Sequence, residues 1–277
     1  MKNSIYLFSL LLIFQVAFSS CGQKANSSNS TSKNTPESIR VMTYNVHHAN
    51  PPEEDDVIDL DAIAQVIRES KADLVAVQEL DSVAKRSLNV FQLESLAQKL
   101  DMNYHYFSAI PFQGGAYGVG ILSRFPISNP QKLALPEYED KDVEDRVLGV
   151  VSVKLPNQKS IYFACTHWDV VHEENRLLQA ESTIQLAEQL DAPIIIGGDF
   201  NARTDSKPMK MLRQVFTDAS KEFAPTIPTI NPNRKIDHIL YAPEKAFQLK
   251  TEEVIEDELA QKASDHLPFI VELQVAN

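Results

Sequence analysis

The chain has 277 residues, 43% of them hydrophobic, enough to bury the core of one large domain or two small ones. Its formal net charge of −12 at pH 7 repels polyanions, which weighs against broad coating of nucleic acid while leaving room for a local basic groove. Only Cys21 and Cys165 are present, so a disulfide scaffold is excluded.

The chain opens with Met1-Lys2-Asn3, an apolar run from Ile5 to Phe18, and then Ser19-Ser20-Cys21-Gly22. A positive start, an apolar stretch too short to span a bilayer comfortably, and small residues after it read as an export signal. The cysteine at its end is similar to a bacterial lipoprotein signal. That resemblance implies removal of residues 1–20, lipidation of Cys21, and a protein held on a membrane of the cell envelope, in the periplasm or at the cell surface. Residues 21–38, rich in Ser, Asn, Thr and Lys, read as a flexible tether. Cys165, inside the apolar run Ile161 to Cys165, reads as a core residue.

From residue 39 onward, strand-like and helix-like patterns follow one another without a clear break, so residues 39–277 are expected to form one domain. Ile39 to Val46 reads as a strand, and Leu60, Ile63, Ala64 and Ile67 make a helical stripe. Leu74 to Val77 is a short buried strand and Phe91 to Leu100 a helix. Strands are expected at Tyr104 to Ala109, Tyr117 to Leu122 and Ile127 to Leu135, then a hairpin of Val147 to Leu155 and Ser160 to Cys165 around Pro156-Asn157. Leu177, Ala180, Ile184 and Ala187 repeat at helical spacing. Pro193 to Ile196 is a strand running into Gly197-Gly198-Asp199, and a short helix is expected over Lys207 to Val215. Ile236 to Tyr241, Gln248 to Ile255 and Phe269 to Val275 close the series as strands. About ten strands with four helices point to two packed sheets with helices outside.

Polar residues gather at the ends of these apolar runs. Asn45 ends the first strand and Glu79 the second; Thr166-His167 and Asp199-Phe200-Asn201 end two more; Asp237 sits in Lys235-Ile236-Asp237-His238, and Ser264-Asp265-His266 precedes the last strand. Strand ends on one side of a sheet converge, so these residues can share a pocket. Carboxylate and amide oxygens suit a hard divalent cation such as Mg²⁺ or Mn²⁺, and Asn45, Glu79 and Asp265 fit that role. Asp199 and Asn201, two apart on an extended chain, point to the same side. One of them can position or deprotonate a water while the other donates an amide N–H to a phosphoryl group. His167 and His266 can stabilise phosphoryl charge or assist the leaving oxygen, and Asp237 can fix one of the rings.

In this order, Thr-x-Asn, Gln-Glu, Thr-His, Gly-Asp-Phe-Asn, Ile-Asp-His-Ile and Ser-Asp-His resemble the endonuclease/exonuclease/phosphatase superfamily over nearly all of residues 39–277. The resemblance implies an α/β fold, a four-layer sandwich with two mixed sheets inside. It implies Asn45, Glu79 and Asp265 as metal-site residues for Mg²⁺ or Mn²⁺, Asp199 as the group that orients or activates water, and Asn201 as a transition-state contact. His167 corresponds to a phosphate-contacting histidine, and His266 with Asp237 to a His–Asp dyad. Thr43-Tyr44-Asn45-x-His47-His48 is similar to a compact bacterial branch, which implies His47 near the pocket and Arg146 where a phosphate-contacting arginine would stand; a solvated loop histidine and a surface salt bridge are the alternative readings of the two. Asp169, Arg176 and Gln179 are expected to orient the loop after His167.

The expected activity is metal-dependent hydrolysis of a phosphate monoester or diester by a monomer. Nucleic acid is a disfavoured target, since no basic tract or aromatic–basic run grips a strand; a nuclease of the cell envelope is the rival enzyme. A non-catalytic surface-binding lipoprotein is the rival of another class, and the presence of Glu79, Asp199 and His266 speaks against it. For the leader, Cys21→Ala is expected to release the protein from the membrane fraction of fractionated cells; unchanged membrane association would argue for an uncleaved apolar segment.

Overall fold

Strand β1 (Ser38–Asn45) turns Ile39 and Val41 to one side and Met42 and Tyr44 to the other, and all four are fully buried. A strand buried on both faces needs a packed layer on each, and this requirement organises the molecule. The computed structural model describes residues 38–138, 143–220 and 223–276. The expected signal segment 1–20, Cys21 and the tether up to residue 37 lie outside them.

One sheet has the order β11 (Phe247–Val254), β12 (Phe269–Val275), β1, β2 (Leu74–Ser82), β4 (Gly115–Ser123), β3 (Asn103–Phe112). The other runs β5 (Ile127–Leu135), β6 (Arg146–Lys154), β7 (Ser160–His167), β8 (Ile194–Asp199), β10 (Asp237–Ala242), β9 (Thr217–Asp218). Each holds one parallel pair, β1 with β2 and β7 with β8, among antiparallel neighbours. Helices α1 (Leu60–Ser70), α2 (Gln92–Leu100) and α5 (Glu258–Ala263) share a core with the outer face of the first sheet; α3 (Glu173–Gln189) and α4 (Lys207–Leu212) share one with the second. A third core lies between the sheets, making the four-layer sandwich.

Among the described residues there are twelve strands and five helices. The two elements absent from the sequence reading, two-residue β9 and six-residue α5, are too short to show a hydrophobic period. No helix among the described residues is long and apolar enough to cross a membrane.

Parity then positions the polar strand ends. Ile39 and Val41 face the inter-sheet core, so Asn45 takes the same side; Ile195 does likewise in β8, and so does Asp199. Ile161, Phe163 and Cys165 carry His167 inward, and Ile239 and Tyr241 carry Asp237. Register aligns the second sheet's trio, with His167 opposite Asp199 and Asp199 opposite Asp237. Gly197 lets the sheets close beside them, because a Cβ there would lie 2.7 Å from Ala76 Cβ and 3.3 Å from Thr43 Cβ. Gly197→Ala is expected to destabilise the fold by about 1–3 kcal/mol through overpacking, read as a lowered urea midpoint; an unchanged midpoint would mean that the sheets have slack at this position.

Candidate active site

A fully buried carboxylate must find partners, and Asp199 at the end of β8 is only 2% exposed. Its Oδ1 accepts the backbone N–H of Asn201 at 2.9 Å. Its Oδ2 accepts from Asn45 Nδ2 at 3.1 Å and lies 3.6 Å from His167 Nε2 and 3.8 Å from His266 Nε2. Asn45, His167, Asp199 and His266, spread over most of the sequence, thus meet around one oxygen between the sheets.

Asn45 bridges two carboxylates, since Nδ2 also donates to Glu79 Oε1 at 2.9 Å. Its Oδ1 accepts the His47 backbone N–H at 3.1 Å, which sets the orientation of the amide. Glu79 reaches Asn45 through a break in parity. Strict alternation would send it outward with Val75 and Val77, but the β2–β4 register shifts between Val77 and Leu80, and Glu79 has φ +59°. Leu80 resumes the outward packing. The Ser264 hydroxyl donates to Asn45 O at 2.8 Å and ties the Ser264-Asp265-His266 turn to β1. Asp265 is partly buried, and its Oδ1 is buried without a protein partner.

On the other flank, His266 Nδ1 donates to Asp237 Oδ2 at 2.9 Å, and the hydroxyl of fully buried Thr226 donates to the same oxygen. Thr226 was not visible in the sequence; a threonine in an irregular segment carries no periodic signal, and only the need of buried Asp237 for donors points to it. Asn201 departs from the extended chain expected there. It has φ +47°, lies beyond the end of β8, and donates one amide hydrogen to Trp168 O at 3.0 Å, leaving the other uncommitted. The His47 ring faces Asn50 O through Nδ1 at 3.0 Å, so this residue meets the site through its backbone N–H to Asn45.

Arg146, 8% exposed, lies 3.3 Å from Glu144 through Nη2, while its buried Nε and Nη1 have no hydrogen-bond partner among the described residues. Asp169 organises the loop beyond His167. It accepts the backbone N–H groups of Val171 and His172 and the Asn175 amide, its own N–H goes to Gln179 Oε1, and Arg176 donates to its carbonyl.

Electrostatics follow from this burial. Desolvation, reinforced by Asp237, pushes the Asp199 carboxyl up to about 7. Burial pulls His266 down, but Asp237, Asp199 and Asp265 outweigh it and hold the imidazolium up to about 10. His167 is driven well below the ordinary histidine value by burial, Arg146 and His266. Among the described residues, Asp199, Asp237 and His266 bring ligand-type atoms within 4.8 Å of one another. The Asp237–His266 contact there is a charge-assisted hydrogen bond on a protonated ring, which competes with coordination by that ring.

The model of the endonuclease/exonuclease/phosphatase family matches residues 42–266. Solved structures with the same fold include an endonuclease/exonuclease/phosphatase of Beutenbergia cavernae, with TM-score 0.73 and 23% identity, covering 87% of this chain and 72% of that one. Another of that description from Bacteroides vulgatus has TM-score 0.72 and 21% identity over 86% of this chain and 99% of its own. A mannosyl-6-phosphatase of Bacteroides thetaiotaomicron has TM-score 0.67 and 22% identity, covering 85% of this chain and 99% of that one. No curated protein sequence matches the chain.

The two raised groups set a pH dependence of stability. A carboxyl raised to about 7 leaves the unfolded state with fewer bound protons than the folded one above the ordinary aspartate range, so stability falls as pH rises through that window to 7. His266 contributes stability that is full below the ordinary histidine value and lost as pH rises through about 10. In EDTA, the urea midpoint is therefore expected to fall from pH 7 to pH 10, where His266 gives up its proton. Between pH 5 and pH 7 the lowered histidines His167 and His48 act in the opposite sense, so Asp199 is read by difference: the midpoint of Asp199→Asn is expected to gain on the parent as pH rises through this window, and a difference that does not grow would contradict the burial of an uncompensated Asp199.

Proposed function

This chain belongs to the endonuclease/exonuclease/phosphatase family of phosphate-ester hydrolases, and we propose that it is an exported, divalent-metal-dependent member acting on a small phosphate ester by in-line attack of water. The observation that carries this reading is the convergence of Asn45, His167 and His266 on Asp199 Oδ2.

Asp199 takes the proton of the attacking water. Burial and Asp237 raise its carboxyl above the ordinary aspartate range, which makes the ionised form a better proton acceptor than an exposed carboxylate. As the water oxygen bonds to phosphorus, the ester P–O bond opposite it breaks and negative charge moves onto the phosphoryl and leaving oxygens. The free amide hydrogen of Asn201 and the Nε2–H of His266 donate to that charge, and Asp237 with Thr226 keeps His266 in place and protonated. The unpartnered Nε and Nη1 of Arg146 supply the cationic donors that a buried phosphate requires.

The donor set fits a hard divalent cation. Asp265 Oδ1 is buried without a partner, and Asp199 is raised partly by Asp237, so the pocket carries carboxylate charge that its own cations leave uncompensated. Glu79 and Asp265, with Asn45 between Glu79 and Asp199, would hold Mg²⁺ or Mn²⁺. When bound, the ion supplies Lewis-acid neutralisation of the phosphoryl and leaving oxygens.

A small, non-polymeric ester is favoured by the net charge of −12 and by the likeness to a mannosyl-6-phosphatase. The leader ending at Cys21 supports export and a lipid anchor on the cell envelope.

Purified full-length protein is expected to hydrolyse one class among p-nitrophenyl phosphate, bis-p-nitrophenyl phosphate, sugar phosphates, inositol phosphates, sphingomyelin, RNA and plasmid DNA, with activity lost in EDTA and restored by Mg²⁺ or Mn²⁺. Asp199→Ala and His266→Ala should each lower turnover by at least about a hundredfold with circular dichroism unchanged. Full activity in both variants would remove the site assignment; cleavage of nucleic acid alone would make the protein an envelope nuclease.

A further inference from the structure

Asp218, Lys235 and His238 are charged or titratable groups withdrawn from solvent, Arg213 stands partly exposed beside them, and none has a part in the chemistry above. Lys235 is 2% exposed and His238 fully buried. Three nitrogens surround the Asp218 carboxylate: Arg213 Nη1 at 3.8 Å, Lys235 Nζ at 3.7 Å and His238 Nδ1 at 3.5 Å. All three distances are longer than good hydrogen bonds. Among the described residues, Arg213 Nη1, Asp218 Oδ1, His238 Nδ1 and the hydroxyls of Thr204 and Ser206 are buried with no hydrogen-bond partner, the first three held only by these longer ion-pair contacts. Native proteins rarely leave so many buried polar atoms without a hydrogen bond, and those that do usually receive water or a ligand there.

The cluster borders a cavity of about 440 Å³ lined by Arg203, Thr204, Lys210, Arg213, Phe223 and Lys235, with Asp205 the one acid in its wall among the described residues. Asp218 lies behind, and Glu252 is the further acid acting on Lys235. Four basic side chains facing this space invert the sign of a chain whose net charge is −12. Arg213 is fixed by donating through Nη2 to Thr204 O, and its Nη1, held only by the 3.8 Å ion pair with Asp218, keeps a hydrogen to donate to an incoming acceptor.

We propose that this cavity binds a phosphate-type oxyanion at a site separate from the catalytic centre. A guanidinium, an ammonium and a hydroxyl are donors that want an acceptor-only partner with several oxygens. A divalent cation is repelled by the same charges, and a carboxylate offers only two oxygens to at least four donor groups. The site is joined to the catalytic one by the chain itself. Arg203 and Thr204 follow Asn201-Ala202, Ala202 O faces His238 Nε2 at 3.0 Å, and His238 adjoins Asp237, the partner of His266. An occupant therefore rests on the loop that carries Asn201, as either the second phosphate group of a longer substrate or a free phosphate ion.

The test is calorimetric titration of full-length protein in EDTA with inorganic phosphate and, in a second arm, glycerol 3-phosphate. Arg203→Ala/Lys210→Ala alters two exposed side chains that carry little of the fold, and Arg213→Gln removes the inner cation. Both are expected to weaken one binding event by at least about tenfold with circular dichroism unchanged, and that event should survive in Arg146→Gln, which damages the catalytic centre instead. Tighter binding of the organic ester would assign the site to a substrate's second phosphate; tighter binding of inorganic phosphate would assign it to the free ion. Unchanged affinity in the double variant, or loss of all phosphate binding in Arg146→Gln, would overturn the proposal.

Discussion

The structure depends on keeping one carboxylate, that of Asp199, out of water between two sheets. Burying a charged group is costly unless it is paired and hydrogen-bonded, so the surroundings of Asp199 cannot vary freely. One oxygen is taken by the backbone of its own turn and the other by Asn45 from the opposite sheet. That second bond stitches the sheets together at the site. It exists because both residues end strands whose alternation leaves them facing the inter-sheet core. The close packing at Gly197 brings the sheets near enough for such short side chains to meet.

Much of this was legible in the sequence, for a physical reason. Strands buried on both sides read as unbroken apolar runs, and a polar residue at the end of such a run, as at Asn45, His167 or Asp199, stands out against them. Register supplies what the runs cannot, placing His167, Asp199 and Asp237 side by side across three strands. Glu79 shows the limit of reading by period. The motif points to it, yet its direction is decided by a register shift and a positive φ that alternation does not encode. Asn201 is similar: two residues from Asp199 it should share its side, but the chain has already turned. Thr226 left no trace, because a hydroxyl matters here only through the buried oxygen it meets. The leader is the reverse case, legible in composition and outside the described residues.

The apolar layers account for why such an electrostatically strained centre can persist. Three separate cores, one between the sheets and one under each set of helices, hold strands that do not rely on the site for their pairing. Raising Asp199 costs stability at neutral pH, and that cost is met by packing elsewhere. Sites that break local rules within an otherwise consistent fold are where function is expected.

The two histidines beside Asp199 show how the same side chain acquires different roles from its backing. They stand at nearly equal distance from one oxygen, 3.6 Å for His167 and 3.8 Å for His266. Behind His266 lies Asp237, held in turn by Thr226, so the ring keeps its proton and presents Nε2–H as a cationic donor. Behind His167 no acceptor stands among the described residues: its Nδ1 is buried without a hydrogen-bond partner, and burial with the positive charge of Arg146 nearby keeps the ring neutral. Environments that push like groups apart are how one pocket supplies both a charged donor and a neutral one at the same pH. The division is fixed by residues that need not touch substrate, which is why exchanging the histidines' neighbours would alter the site as surely as replacing the histidines.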